Sequence, residues 1–123
     1  RSHILVCLLP LTPATEGILN LDLFQQLPAA AYLINPARGA HLVEADLLTA
    51  LAAGHLSGAC LDVFYQEPLP ADHPFWPHRA IRVTPHCASL TDPASVAPQI
   101  VENYHRLQRG APLLNAVSRQ RGY

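Results

Sequence analysis

At 123 residues, half of them apolar and with a formal net charge of −1, the chain has the makings of one globular domain with its own core, which excludes a disordered segment. Its arginines form no long run or stripe, so the electrostatic footprint of a nucleic-acid binder is missing, and apolar runs such as residues 4–9 are far too short to span a bilayer. No basic-then-apolar leader opens the sequence, so a cytoplasmic location is expected. Three cysteines, Cys7, Cys60 and Cys87, fit reduced thiols, two of them inside apolar runs. The absence of methionine, with Arg1 in first place, leads us to expect part of a longer chain.

Residues 4–9 are near-continuously apolar and predict a first strand buried on both faces, as parallel strands are. A helix is expected over 21–27 and a second strand over 31–34, ending in the turn Asn35-Pro36-Ala37-Arg38-Gly39. Residues 43–53 form the next helical pattern, with apolar positions at 43, 47, 48 and 51 and Gly54 as its stop. A third strand follows over 58–63. The connection 64–79 contains four prolines, which forbid a regular crossover helix, and leads to a fourth strand over 81–84. Asp92 and Pro93 read as N-cap and first residue of a last helix, with Val96, Ile100, Tyr104 and Leu107 on one face and Gly110 closing it. Pro98 inside that helix predicts a bend or a late start. Residues 111–123 show no strong period. Strands alternating with helices predict an α/β fold built from right-handed βαβ units.

In such sheets ligands bind beyond the carboxyl ends of the strands. The segments there are 10–12, 35–39, 62–67 and 85–89, and three of them supply an ionisable side chain suited to catalysis: Arg38, Glu67 and His86. Together they suit reduction of a 2-oxo acid. A guanidinium grips a carboxylate through paired hydrogen bonds while reaching the adjacent carbonyl, which lysine does with less geometric definition. An imidazole can donate a proton to the carbonyl oxygen, and a neighbouring carboxylate favours its charged form. Asp62 is placed to accept hydrogen bonds from a cofactor or from backbone. Taken singly, a loop arginine is more often a surface ion pair and one histidine among seven a satisfied bystander. Their joint placement at strand ends carries the reading. No CxxC, HExxH or GxSxG spacing supports a metal site or a serine nucleophile, although His73, His78, His86, Cys60 and Cys87 offer ligating atoms.

The segments LPLTPATEGILN, LINPARGAHLVEADLLTALAAGHLSGACLDVFYQEPLP and VTPHCASLT resemble, in order and spacing, the second half of the nucleotide-binding domain of D-isomer-specific 2-hydroxyacid dehydrogenases. The EPLPADHPFW loop and the closing SRQRGY look more like the glyoxylate/hydroxypyruvate reductase A branch. The likeness implies the C-terminal half of a Rossmann-type doubly wound sheet over 1–91, then an interdomain helix and arm over 92–123 that would pack on a substrate domain. It implies reduction of glyoxylate or hydroxypyruvate with NADPH, or NADH, by a homodimer. By the same resemblance Arg38 binds carboxylate and carbonyl, Glu67 partners the histidine and His86 donates the proton. Leu9, Pro10, Pro36, Ala37, Arg38 and Asp62 fall near the nicotinamide and its ribose, and His86, Ala88 and Ser89 near its carboxamide. The family's G-x-G-x-x-G phosphate loop and its NAD/NADP-selecting residue are absent from these residues, so turnover by them alone is not expected. PAR stands where small or polar residues often precede the arginine, and PHCAS replaces a glycine-containing PHxGG, a change bearing on substrate size. The competing reading is a corepressor-like protein of the same fold that senses NAD(H).

Overall fold

The computed structural model describes residues 2–120. Its elements are β1 (Ile4–Val6), α1 (Leu21–Gln26), β2 (Ala31–Asn35), a 3₁₀ turn (Gly39–His41), α2 (Glu44–Ala52), β3 (Leu56–Leu61), β4 (Ile81–Val83) and α3 (Pro93–Gln108). The four strands form one parallel sheet in the order β1-β2-β3-β4. The chain divides into two compact units, Arg1–Ala88, which holds the sheet, and Ser89–Tyr123, which holds α3.

Register explains which face of the sheet is covered. Leu5, Leu33, Ala59 and Ile81 lie side by side across it, and the last three are buried in the core. Phe24 of α1 and Leu47 and Ala50 of α2 belong to the same cluster. Each fully buried large side chain, such as Phe24, Leu33 or Leu47, contributes about 1.5–3 kcal/mol. On the opposite face the row Val6, Ile34, Cys60 and Arg82 is half-buried or exposed. The strands expected to be buried on both faces are therefore covered on one. Right-handed crossovers place α1 and α2 on the same side, and the connection to β4 brings no helix. The first strand is also shorter than its apolar run: it ends at Val6, the Cys7 N–H still donates to the Ile34 carbonyl at 2.9 Å, and residues 8–9 carry no strand structure.

Local chemistry accounts for the helix ends. The Asn20 side chain accepts from the Leu23 N–H at 3.1 Å, capping α1. The Leu21 N–H donates to Asp46 Oδ2 at 3.0 Å, which ties α1 to α2. Gly54, at φ +69°, closes α2 in the left-handed region where other residues are strained. The proline-rich 64–79 segment is ordered without a helix. Phe75 is buried within it, Trp76 Nε1 donates to the Pro70 carbonyl at 2.7 Å, and His73 Nε2 lies 3.2 Å from Glu44 Oε2.

In the second unit Asp92 accepts from the Ala94 N–H at 3.1 Å and α3 starts at Pro93, so the late start expected from Pro98 does not occur. Capping by Asp92 outweighs the hydrogen bond that Pro98 cannot donate. Asn103 holds the tail through Leu114, accepting from its N–H at 2.7 Å and donating to its carbonyl at 3.2 Å. Ile100, Tyr104 and Leu107 are exposed on α3. Cys7 is buried, Cys60 half-buried and Cys87 exposed, all as free thiols.

Candidate active site

Every candidate side chain of the first unit stands at or just past a strand's carboxyl end. After β2, the buried Asn35 folds the chain back on itself: its Oδ1 accepts from the Ala37 N–H and its Nδ2 donates to the Arg38 carbonyl, both at 3.1 Å. Such an Asx turn suits Asn, whose amide both donates and accepts. Pro36 is half-buried and Ala37 buried, while Arg38 is exposed and donates through Nη1 to the Ala37 carbonyl at 2.6 Å. Gly39 is the only residue type that fits next. A Cβ there would sit 1.9 Å from the Phe64 carbonyl carbon and 2.4 Å from the Tyr65 nitrogen. Backbone contact at that point brings the Arg38 turn against the segment leading to Glu67.

After β3, Asp62 is buried and accepts from the Thr84 hydroxyl, from the Cys87 N–H at 3.0 Å and from the Ala88 N–H at 2.8 Å. Burial pushes its carboxyl up, but these donors outweigh it and hold the group below its ordinary range. Through these bonds Asp62 clamps the loop that follows β4.

That loop carries His86 at φ +52°, a left-handed conformation uncommon for residues other than glycine, with its N–H donating to the Thr84 carbonyl at 3.1 Å. His86 Nδ1 lies 2.8 Å from Glu67 Oε2. The hydrogen bond from His86, with a second from the Phe64 N–H at 2.9 Å, holds Glu67 below the ordinary glutamate range. An ionised carboxylate can only accept, so Nδ1 carries a proton and Nε2 is the ring nitrogen left for other chemistry.

Arg38, Glu67 and His86 line one hollow of about 300 Å³, with Leu11, Phe64 and Tyr65 completing much of its wall. Glu67 and His86 also line an apolar hollow of about 410 Å³, walled further by Leu69, Trp76 and Val83. Leu9, Pro10, Pro36, Ala37, Asp62 and Ala88 lie outside the lining of the 300 Å³ hollow, in the loops that leave the strands. Ser89 is exposed and opens the second unit. Sequence reasoning missed two residues that build the site. Asn35 organises the Arg38 turn, a role its position two residues before the Ala37 N–H could have signalled. His41 is fully buried beneath the turn, and nothing marks it out among seven histidines.

Residues 1–88 match the model of the D-isomer specific 2-hydroxyacid dehydrogenase, NAD binding domain. The chain belongs to this dehydrogenase family. Glyoxylate/hydroxypyruvate reductase A of Photorhabdus laumondii is 53% identical over 122 residues, 99% of this chain and 39% of that protein. A D-isomer specific 2-hydroxyacid dehydrogenase from Xanthobacter autotrophicus Py2, solved with NADPH and MES, superposes with a TM-score of 0.94 at 49% identity, over 99% of this chain and 50% of that one. The NADPH-dependent glyoxylate/hydroxypyruvate reductase from Sinorhizobium meliloti, solved with NADP and sulfate, gives 0.93 at 41% identity, over 100% and 40%. The chain thus spans about two fifths of the length of the curated reductases it matches, and the dehydrogenase fold seen here is part of a Rossmann-type nucleotide-binding domain.

Proposed function

We propose that the protein containing this chain reduces small 2-oxo acids, glyoxylate and hydroxypyruvate among them, with NADPH preferred over NADH. The observation that carries this reading is the convergence of Arg38 and the Glu67–His86 pair on one hollow. The relatives, named reductases of those two acids, support the substrate class. The same likeness favours a cytoplasmic homodimer, and no described helix is long and apolar enough to cross a membrane.

Arg38 binds the substrate carboxylate with a planar pair of N–H donors, which fixes the 2-oxo carbon relative to His86. Reduced nicotinamide, when bound, supplies the hydride. His86 Nε2 donates a proton to the carbonyl oxygen as negative charge develops there, and Glu67 accepts from Nδ1 throughout, holding the ring's orientation. Exposed Leu9 and Pro10 after β1, with Pro36 after β2, offer apolar surface that fits a flat nicotinamide ring. Asp62, through Cys87 and Ala88, holds the His86 loop beside it.

The test is oxidation of NADPH and of NADH by the full-length protein with each acid. Rapid, acid-dependent NADPH oxidation is expected. Tight cofactor binding without turnover would instead favour a sensing protein.

A further inference from the structure

Beneath the Arg38 turn lies a histidine that the proposed reaction does not use. His41 ends the 3₁₀ turn, is 0% exposed, and has both ring nitrogens near carbonyl oxygens. Nδ1 is 3.1 Å from the carbonyl oxygen of Arg38, and Nε2 is 3.3 Å from that of Pro10. Carbonyl oxygens can only accept, so a ring nitrogen bonds its partner when it carries the proton: one tautomer donates to the Arg38 carbonyl, the other to that of Pro10. A buried side chain present only to fill space would not need ring nitrogens set against the carbonyls of two loops separated by a strand and a helix. The Arg38 carbonyl also accepts from Asn35 Nδ2 at 3.1 Å and from the His41 N–H at 3.2 Å. Backbone bonds stitch the same two segments together, Gly17 N–H to the Ala40 carbonyl and Leu19 N–H to the His41 carbonyl, both at 2.9 Å.

We propose that His41 is a positioning residue that braces the Arg38 turn against the loop leaving β1. It acts through the Arg38 carbonyl and sets where the guanidinium meets the substrate carboxylate. This rests on the reductase reading, in which Arg38 holds substrate and the β1 loop flanks the nicotinamide. The effect should appear in 2-oxo acid binding before cofactor binding, because a displaced guanidinium loses its paired geometry while the cofactor keeps its other contacts.

Three variants of the full-length protein separate bracing from packing. In His41→Asn the amide nitrogen falls where Nδ1 was and keeps the Arg38 bond. In His41→Gln it falls where Nε2 was and keeps only the Pro10 bond. His41→Phe keeps neither. We expect the KM for the 2-oxo acid to rise about 10-fold or more in His41→Gln and His41→Phe but under about 3-fold in His41→Asn, with the NADPH Kd nearly constant in all three. Equal losses in His41→Asn and His41→Gln that track their Tm would overturn the inference, as would an unchanged KM in His41→Phe. Should His41→Phe fail to fold, the Asn and Gln pair still decides. A wild-type protein that binds NADPH but turns over no 2-oxo acid would overturn the reductase reading and this inference with it, whereas an active wild type with unaltered variants sinks the inference alone.

Discussion

At the scale of single residues, two carboxylates shape the site in different ways. Glu67 partners His86, and in the proposed reaction the imidazole makes the one proton transfer to substrate. Replacing His86 with Gln in the full-length protein should lower kcat by about 10²–10⁴-fold while leaving NADPH binding intact, since general acid catalysis contributes on that order. Stopped-flow turnover beside cofactor titration checks this, and a near-normal kcat would remove His86 from its role. Asp62 is a matter of stability. Its carboxyl is held below the ordinary range in the folded state, so its contribution is complete above the unfolded-state value and is lost as pH falls through the lower folded value. Asp62→Asn should therefore cost about 1–3 kcal/mol at neutral pH, because an amide turns a donor toward donors, and the penalty should shrink on acidification. Urea unfolding across a pH series measures both, and a penalty that is constant with pH would contradict the assignment.

Elements set the distances at which these residues meet. β2 delivers Arg38 and β3 leads to Glu67, and the two segments touch backbone to backbone at Gly39. Gly39→Ala places a methyl within the Phe64 peptide, so the segments must part. We expect destabilisation of about 1–3 kcal/mol or more together with a fall in kcat/KM for the 2-oxo acid. Calorimetry with steady-state kinetics tests the pair of effects, and a variant with native Tm would mean that the close approach is not maintained in solution. Gly54 makes an instructive contrast. A Cβ there meets open space, and its glycine is required only by the positive φ that ends α2.

The whole molecule leaves apolar surface open among its described residues. Ile4, Val6, Leu8 and Leu9 are exposed in and after β1, and Ile100, Val101, Tyr104 and Leu107 are exposed on α3. Surface of this kind marks contacts with other protein, and an open strand edge is a template for pairing. The relatives extend well beyond the matched residues. Residues 1–123 expressed by themselves should accordingly self-associate, and Ile100→Lys with Leu107→Lys should reduce the assembly. Light scattering reads the mass directly. A monodisperse monomer at high concentration would show that these surfaces do not bind one another.

The parallel α/β architecture was legible in the sequence because its signals are local. Apolar runs marked four strands, Gly54 and Gly110 marked helix ends, and four prolines between Phe64 and Arg79 excluded a helix. Arg38, Glu67 and His86 could be singled out by the rule that strand ends carry ligands, with a family resemblance to reinforce it. Tertiary structure alone decided what surrounds them. That Asp62 clamps the loop after β4, that Gly39 admits the Phe64 peptide and that His41 reaches from the Arg38 turn to Pro10 all depend on contacts between residues about 25 to 31 positions apart. The exposed β1 face has the same origin. An apolar run reports that a strand wants burial, and only the assembled sheet reveals which of its faces these residues can cover.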